Sequence, residues 1–293
     1  HTHLDLECGP GLVTADDFAT GTRAALAGGT TTVLDFATQF HGQTLAEGLA
    51  RWRGKAEGKA VIDYGFHLAM TQWQPEFAAE MADMVAQGVT SFKLYMAYKG
   101  SMMVRDHEIR QALAASAALG TTIGFHCENG DLVLAMAQDL VAAGHTSPHF
   151  HPKSRPAELE AEAAHRLGVI AALEDAQAYV VHLSAAATID QVRQARAHGA
   201  RLIAETCPQY LLLDESAYGP EHPTPEQEAQ ARKYVMSPPP RTQGAQEAIW
   251  AALADGDIQF VGTDHCSFTT AQKADGAAFN QVARLRSDCR VFA

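Results

Sequence analysis

Two histidines one residue apart, in His1-Thr2-His3, open the chain. On an extended segment residues i and i+2 face the same side, so both imidazoles can reach one ion. An H-x-H pair is common without a metal and gains meaning only from company. His126 in FHCENGD, His182 in VVHLS and Asp264 in GTDHC supply it, each following a short apolar run. Each histidine alone reads equally well as a hydrogen-bonded core residue. Asp264 is costly to desolvate behind FVGT unless it is paired or metal-bound. Lys93, in SFKLYMAY, places a long cation within an apolar run, where burial without a partner is rare. Snorkelling or a salt bridge is the structural explanation. The chemical one is that burial lowers its pKa, leaving a neutral amine able to take up carbon dioxide as a carbamate. A carbamate spreads one negative charge over two oxygens and can bridge two cations as a carboxylate does. With four imidazoles and one Asp, such a bridge completes a two-metal hydrolytic site.

Short β-branched or aromatic runs alternate with Ala/Leu/Glu-rich runs of helical period, and these must position the side chains. Strands are predicted at 31–36, 64–70, 91–96, 121–126, 179–182, 201–205 and 258–263, with helices at 16–27, 44–55, 76–87, 106–119, 157–173, 188–197 and 243–254. Gly28-Gly29, Gly88, Gly120 and Gly199 each stand where a helix must stop before a strand. Strand–helix repetition implies a parallel sheet, because every crossover needs its helix. Seven runs plus an eighth strand ending at residues 1–3 favour an α/β fold of the (β/α)8 TIM-barrel type. No G-x-G-x-x-G follows the first run, which disfavours an open dinucleotide-binding sheet. At the C-terminal ends of barrel strands, His1, His3, Lys93, His126, His182 and Asp264 converge on one rim.

The chain has 293 residues with 22 Lys and Arg against 34 Asp and Glu, a net charge of −12 that argues against a nucleic-acid partner. Apolar residues make up 47%, which excludes disorder. No uncharged apolar run reaches the ~18 residues of a membrane span, so no membrane partner is expected. Five scattered cysteines without a C-x-x-C read as reduced thiols in a cytoplasmic protein. The chain begins at His1 without an initiator Met or a signal pattern.

HTHLD, SFKLYMAY, FHCENGD, SRPAELEAEA, VVHLS, ETCPQYLLLD, YVMSPPPR and GTDHCSF occur in that order. Together they closely resemble the dihydropyrimidinase/D-hydantoinase group of cyclic amidohydrolases, from His1 to about Phe279. The resemblance implies a binuclear barrel, usually with zinc, that opens a small cyclic amide to an N-carbamoyl amino acid. His1, His3 and Asp264 would hold one divalent ion and His126 and His182 the other, with carbamylated Lys93 bridging them. Tyr98 matches the family tyrosine that stabilises the oxyanion, and Ser237 matches the residue whose backbone recognises the ring amide. A hydroxide bridging the two ions would attack the ring, and Asp264 would move its proton to the leaving nitrogen. The resemblance also implies a homotetramer and a β-sandwich flanking the barrel; that sandwich, the first barrel strand and the C-terminal part are expected to be missing from this sequence.

Two departures stand out. Leu6-Glu7-Cys8-Gly9-Pro10 replaces the family's Met-Pro-Phe, which contacts the ring's exocyclic group. After Phe279 the family continues into Ile-Pro-Asn-Gly, whose Asn anchors the ring; here Asn280-Gln281-Val282 follows, and Asn280 is not its counterpart. Residues 1–279 are therefore expected to form a partial barrel and 280–293 a divergent tail. Dihydroorotase or allantoinase activity, an inactive fragment, a non-catalytic relative, and copper bound at an N-terminal His remain as alternatives. His265, Cys266 and Cys127 are expected to pack rather than to ligate. Glu128, Asn129 and Asp131 are expected to cap the following helix, and Glu158, Glu160 and Glu162 to form a solvated helix face.

Overall fold

A computed structural model describes residues 1–9, 11–276 and 278–282. The expected tail falls largely on 283–293, outside the described residues; Phe279–Val282 form one helical turn. A short antiparallel pair, β1 (Glu7–Gly9) and β2 (Leu12–Val13), precedes the main sheet. That sheet contains β3 (Thr32–Gln39), β4 (Asp63–Met70), β5 (Ser91–Tyr95), β6 (Thr122–His126), β7 (Gln177–Val180), β8 (Arg201–Thr206) and β9 (Phe260–Val261). All neighbours are parallel and follow sequence order. Thr2 forms parallel bridges to Asp35 on β3 and to His265 just beyond β9, so one residue links the two edges of the sheet. The result is a curled α/β sheet of the partial-barrel kind.

The predicted helices form with small changes at their ends, because their signals are local. Asp17 and Thr44 each close a capping box, and Thr242 caps Gln243–Ala254. Gly29, Gly88, Gly120 and Gly199 all take positive φ, between 64° and 92°, which glycine adopts without a Cβ clash. The strand predicted at 258–263 shortens to Phe260–Val261, leaving Gly262, Thr263 and Asp264 to turn into the rim.

Alternation along the strands sorts the sheet's two faces. Leu68, Phe92, Leu94, Ile123, Phe125, Val180, Leu202 and Ala204 point outward into a core shared with Trp52, Phe77, Leu113 and Leu167 of the surrounding helices. Phe36, Ala69 and Tyr95 point inward and form a separate cluster with Ala97 and Tyr98. Lys93 and His126 have the same parity as Tyr95 and lie inside, at 2% and 1% exposure. In register, Lys93 faces Gly124, where a Cβ would stand 3.5 Å from the lysine Cδ. Glycine therefore leaves room for the lysine stem.

Cys127, Cys207 and Cys266 are buried free thiols, as expected. Cys8 departs from that expectation, being disulfide-bonded; Cys289 lies outside the described residues. Among the described residues no helix is long and apolar enough to cross a membrane.

Candidate metal centre and active site

His1, His3 and Asp264 meet at the rim with ligand atoms within 4.8 Å of one another. Both His1 Nε2 and His3 Nε2 approach one oxygen, Asp264 Oδ1, at 2.8 and 3.1 Å. The segment that brings the histidines there is fixed by Asp35. Its Oδ2 accepts from Thr2 Oγ1 at 2.7 Å and Leu4 N–H at 2.8 Å, and its Oδ1 from Trp52 Nε1 at 2.9 Å. Burial raises the Asp35 pKa to about 7 against these bonds. The His3 ring stacks on Phe36 with centroids 4.8 Å apart, and Lys93 Nζ lies 5.0 Å from the same ring and 5.2 Å from that of Tyr95.

His126 and His182 end up side by side, with ring centroids 4.6 Å apart. The Tyr98 hydroxyl stands 3.3 Å from His126 Nδ1, while His126 Nε2 contacts Glu128 Oε2 at 2.6 Å. Asp264, His182 and Tyr98 take φ of 51°, 46° and 70°, left-handed values that are strained for side-chain-bearing residues and recur at functional sites. Ser237 is buried at 5% exposure and placed by its loop. Lys273 Nζ donates to Val235 O at 2.6 Å, His151 Nε2 to Met236 O at 2.7 Å, and the Tyr210 hydroxyl to Pro238 O at 2.8 Å.

Chemistry of the donors tests whether cations fit. A carboxylate only accepts hydrogen bonds. Glu205 Oε2 sits 2.8 Å from His1 Nδ1, so a neutral His1 ring carries its proton on Nδ1 and turns the Nε2 lone pair toward Asp264 Oδ1. Electron-pair donors aimed at one another around a buried point are the arrangement a divalent cation resolves. At the second group, Glu128 on His126 Nε2 likewise leaves Nδ1 as the electron-pair donor. The donor sets fit.

Three of the carboxylates behave differently from expectation. Asn129 caps Gly130–Ala142 as predicted, and Asp131 lies in its first turn. Glu128 does not cap; it is buried between His126 and Arg155. Although burial raises its pKa, Arg155, His126 and Arg241 bring it down to about 2. Glu158 and Glu162 are exposed, but Glu160 is buried, accepting from Ser184 N–H at 2.8 Å and from Arg241 at 3.1 Å. Glu205 was not anticipated at all. Its signal was the one used for Asp264, an acid within an apolar strand. Burial raises its pKa, but His1, Tyr179 and the His182 N–H hold it below the ordinary carboxylate value. As expected, His265 is not in the ligand group; its Nε2 pairs with Asp16 Oδ2 at 2.9 Å.

The model of the amidohydrolase family matches residues 1–290. The chain belongs to the amidohydrolase family. Among curated members it is 43% identical over 269 residues to the D-hydantoinase of Geobacillus stearothermophilus, covering 92% of this chain and 56% of that protein. To dihydropyrimidinase 1 of Caenorhabditis briggsae it is 41% identical over 281 residues, covering 94% and 56%. The crystal structure of dihydropyrimidinase from Brevibacillus agri NCHU1002 superposes with a TM-score of 0.86 at 43% identity, covering 92% of this chain and 57% of that one. The amidohydrolase chain thus spans somewhat over half the length of these relatives. The resemblance read from its motifs is borne out by them.

Proposed function

We propose that this chain carries the two-metal site of a cyclic amidohydrolase acting on dihydropyrimidines or hydantoins. The convergence of His1, His3 and Asp264 within 4.8 Å carries the reading. It is supported by the His126–His182 pair and by the D-hydantoinase and dihydropyrimidinase names of the relatives. His1, His3 and Asp264 would hold one ion, and His126 and His182 the other, at the rim of the partial barrel. Bound divalent ions, zinc by preference for this donor set, lower the pKa of water and polarise a carbonyl.

The chain's own residues supply the remaining chemistry. Lys93, as the neutral amine, would take up carbon dioxide with loss of a proton, and the carbamate would supply a further oxygen ligand to the ions. Tyr98 donates its hydroxyl to the ring carbonyl oxygen, stabilising negative charge that develops mainly in the transition state. Asp264 takes the proton from the attacking water and returns it to the ring nitrogen as the C–N bond breaks. The backbone at Ser237 recognises the ring amide, and its loop is stiffened by Lys273, His151 and Tyr210. The ring's exocyclic group would face the cavity of about 190 Å³ lined by Leu6, Cys8, Phe40 and Met102. The product is an N-carbamoyl amino acid.

The test is hydrolysis of dihydrouracil, hydantoin, allantoin and dihydroorotate by the zinc-loaded protein. Ring opening of the first two is expected. Inactivity toward all four, both for this chain and for the chain joined to the flanking segments of a relative, contradicts the reading.

A further inference from the structure

Glu205 ends the inward face of β8 and is buried at 3% exposure. Its Oε2 contacts His1 Nδ1 at 2.8 Å and accepts the Tyr179 hydroxyl at 2.6 Å. Its Oε1 accepts the backbone N–H of His182 at 3.1 Å, and its own carbonyl accepts Leu183 N–H at 2.7 Å. His182 therefore holds its left-handed φ of 46° with its own N–H and the next one both donating to Glu205. Such backbone strain persists only where surrounding contacts fix it. Space around the carboxylate is equally specified: a Cβ at Gly262 would lie 2.2 Å from Glu205 Oε2 and 3.1 Å from His1 Nδ1. A tyrosine at 179 and a glycine at 262 both serve this one side chain.

We infer that Glu205 is a positioning residue shared by the two metal-ligand groups, one carboxylate oxygen orienting His1 and the other fixing the backbone of His182. This rests on the metal reading given above. On the first side, the carboxylate keeps the His1 proton on Nδ1 and so presents Nε2, the nitrogen 2.8 Å from Asp264 Oδ1. On the second, it sets the direction in which the His182 side chain leaves the strand. The imidazole, the phenol and the amide already occupy its oxygens, so Glu205 positions ligands and does not carry the reacting proton. Loss of Glu205 should weaken both ions although it ligates neither.

Zinc affinity measured by chelator competition tests this without using turnover. Asp264→Asn removes a ligand of the first ion and leaves the second to report. His182→Asn does the reverse. Adding Glu205→Ala is expected to raise the zinc Kd ten- to a hundredfold in each background, the range for groups that orient metal ligands. Circular dichroism confirms folding. If the alanine variant does not fold, Glu205→Gln keeps the volume but has one accepting oxygen, so it should weaken at least one ion by the same factor. A folded Glu205→Ala protein with either affinity unchanged, or a Glu205→Gln protein with both unchanged, overturns the inference. A wild-type chain that binds two ions but opens no ring removes the proposed function and leaves this inference standing. One that takes up no zinc overturns both.

Discussion

The two imidazole groups at the rim are held by different means. His126 and His182 sit at or just beyond the ends of internal strands, whose ladders place them within a contiguous parallel sheet. His1 and His3 belong to a short segment that contributes only the bridges of Thr2, and a buried carboxylate on each side steadies it, Asp35 on Thr2 and Leu4 and Glu205 on His1. At His126, which β6 holds, Glu128 chiefly selects the imidazole nitrogen, whereas His182, just beyond β7, has its backbone fixed by Glu205. Where the sheet contributes little, the acids also hold the chain.

Damage to the two groups should therefore separate. Asp264→Asn strikes the first group and the proton transfer together, and is expected to lower kcat on dihydrouracil by about 10²–10⁴-fold, the usual contribution of general acid–base catalysis. Zinc bound by His126 and His182 should survive it. Near-normal turnover would remove Asp264 from the mechanism.

Arg155→Ala strikes the second group. It strands Glu128 as a buried charge beside His126, at an expected cost of about 3–5 kcal/mol in urea unfolding. The double variant Arg155→Ala/Glu128→Gln should recover part of that loss. A single variant as stable as wild type would show that this ion pair holds nothing.

The loop that carries Ser237 should respond to acid. Burial, with Arg155 nearby, lowers the His151 pKa from 6.5 to about 3, so the folded state keeps His151 neutral. An unfolded chain binds its proton first, so the stability His151 supports is complete above pH 6.5 and is lost as pH falls toward 3. His151→Gln, whose amide can still donate to Met236 O, should flatten that part of the melting-temperature profile. An identical profile in the variant contradicts the assignment. The smallest effect is expected for Asn129→Ala, which removes the cap on Leu132 N–H and should cost about 1 kcal/mol of stability without changing affinity for the first ion.

The ligand candidates were legible because strand ends are local features. A polar residue at the close of an apolar run is visible without knowing which strands are neighbours, as at His126, His182 and Asp264; Lys93 stands out as a cation within such a run, and His1 and His3 as an H-x-H pair. Gly124 opposite Lys93, Gly262 beside Glu205 and Asp35 beneath Thr2 were not legible, since their meaning depends on cross-strand register. Glu128 and Glu160 were misread for a related reason. Both sit beside helix starts, where acids usually meet solvent, and only the long-range arrival of Arg155 and Arg241 makes their burial affordable. Helix Gly130–Ala142 was seen only through its cap, and Pro225–Arg232 was missed, being short and highly polar.

Zinc stoichiometry of the wild-type chain, measured by equilibrium dialysis alongside the Asp264→Asn and His182→Asn variants, tests the central claim most directly. Two ions per wild-type chain and one per chain in each variant are expected, because two separately held groups each bind their own. A single ion in the wild type, or the loss of both in either variant, would contradict an account built on two groups at one rim.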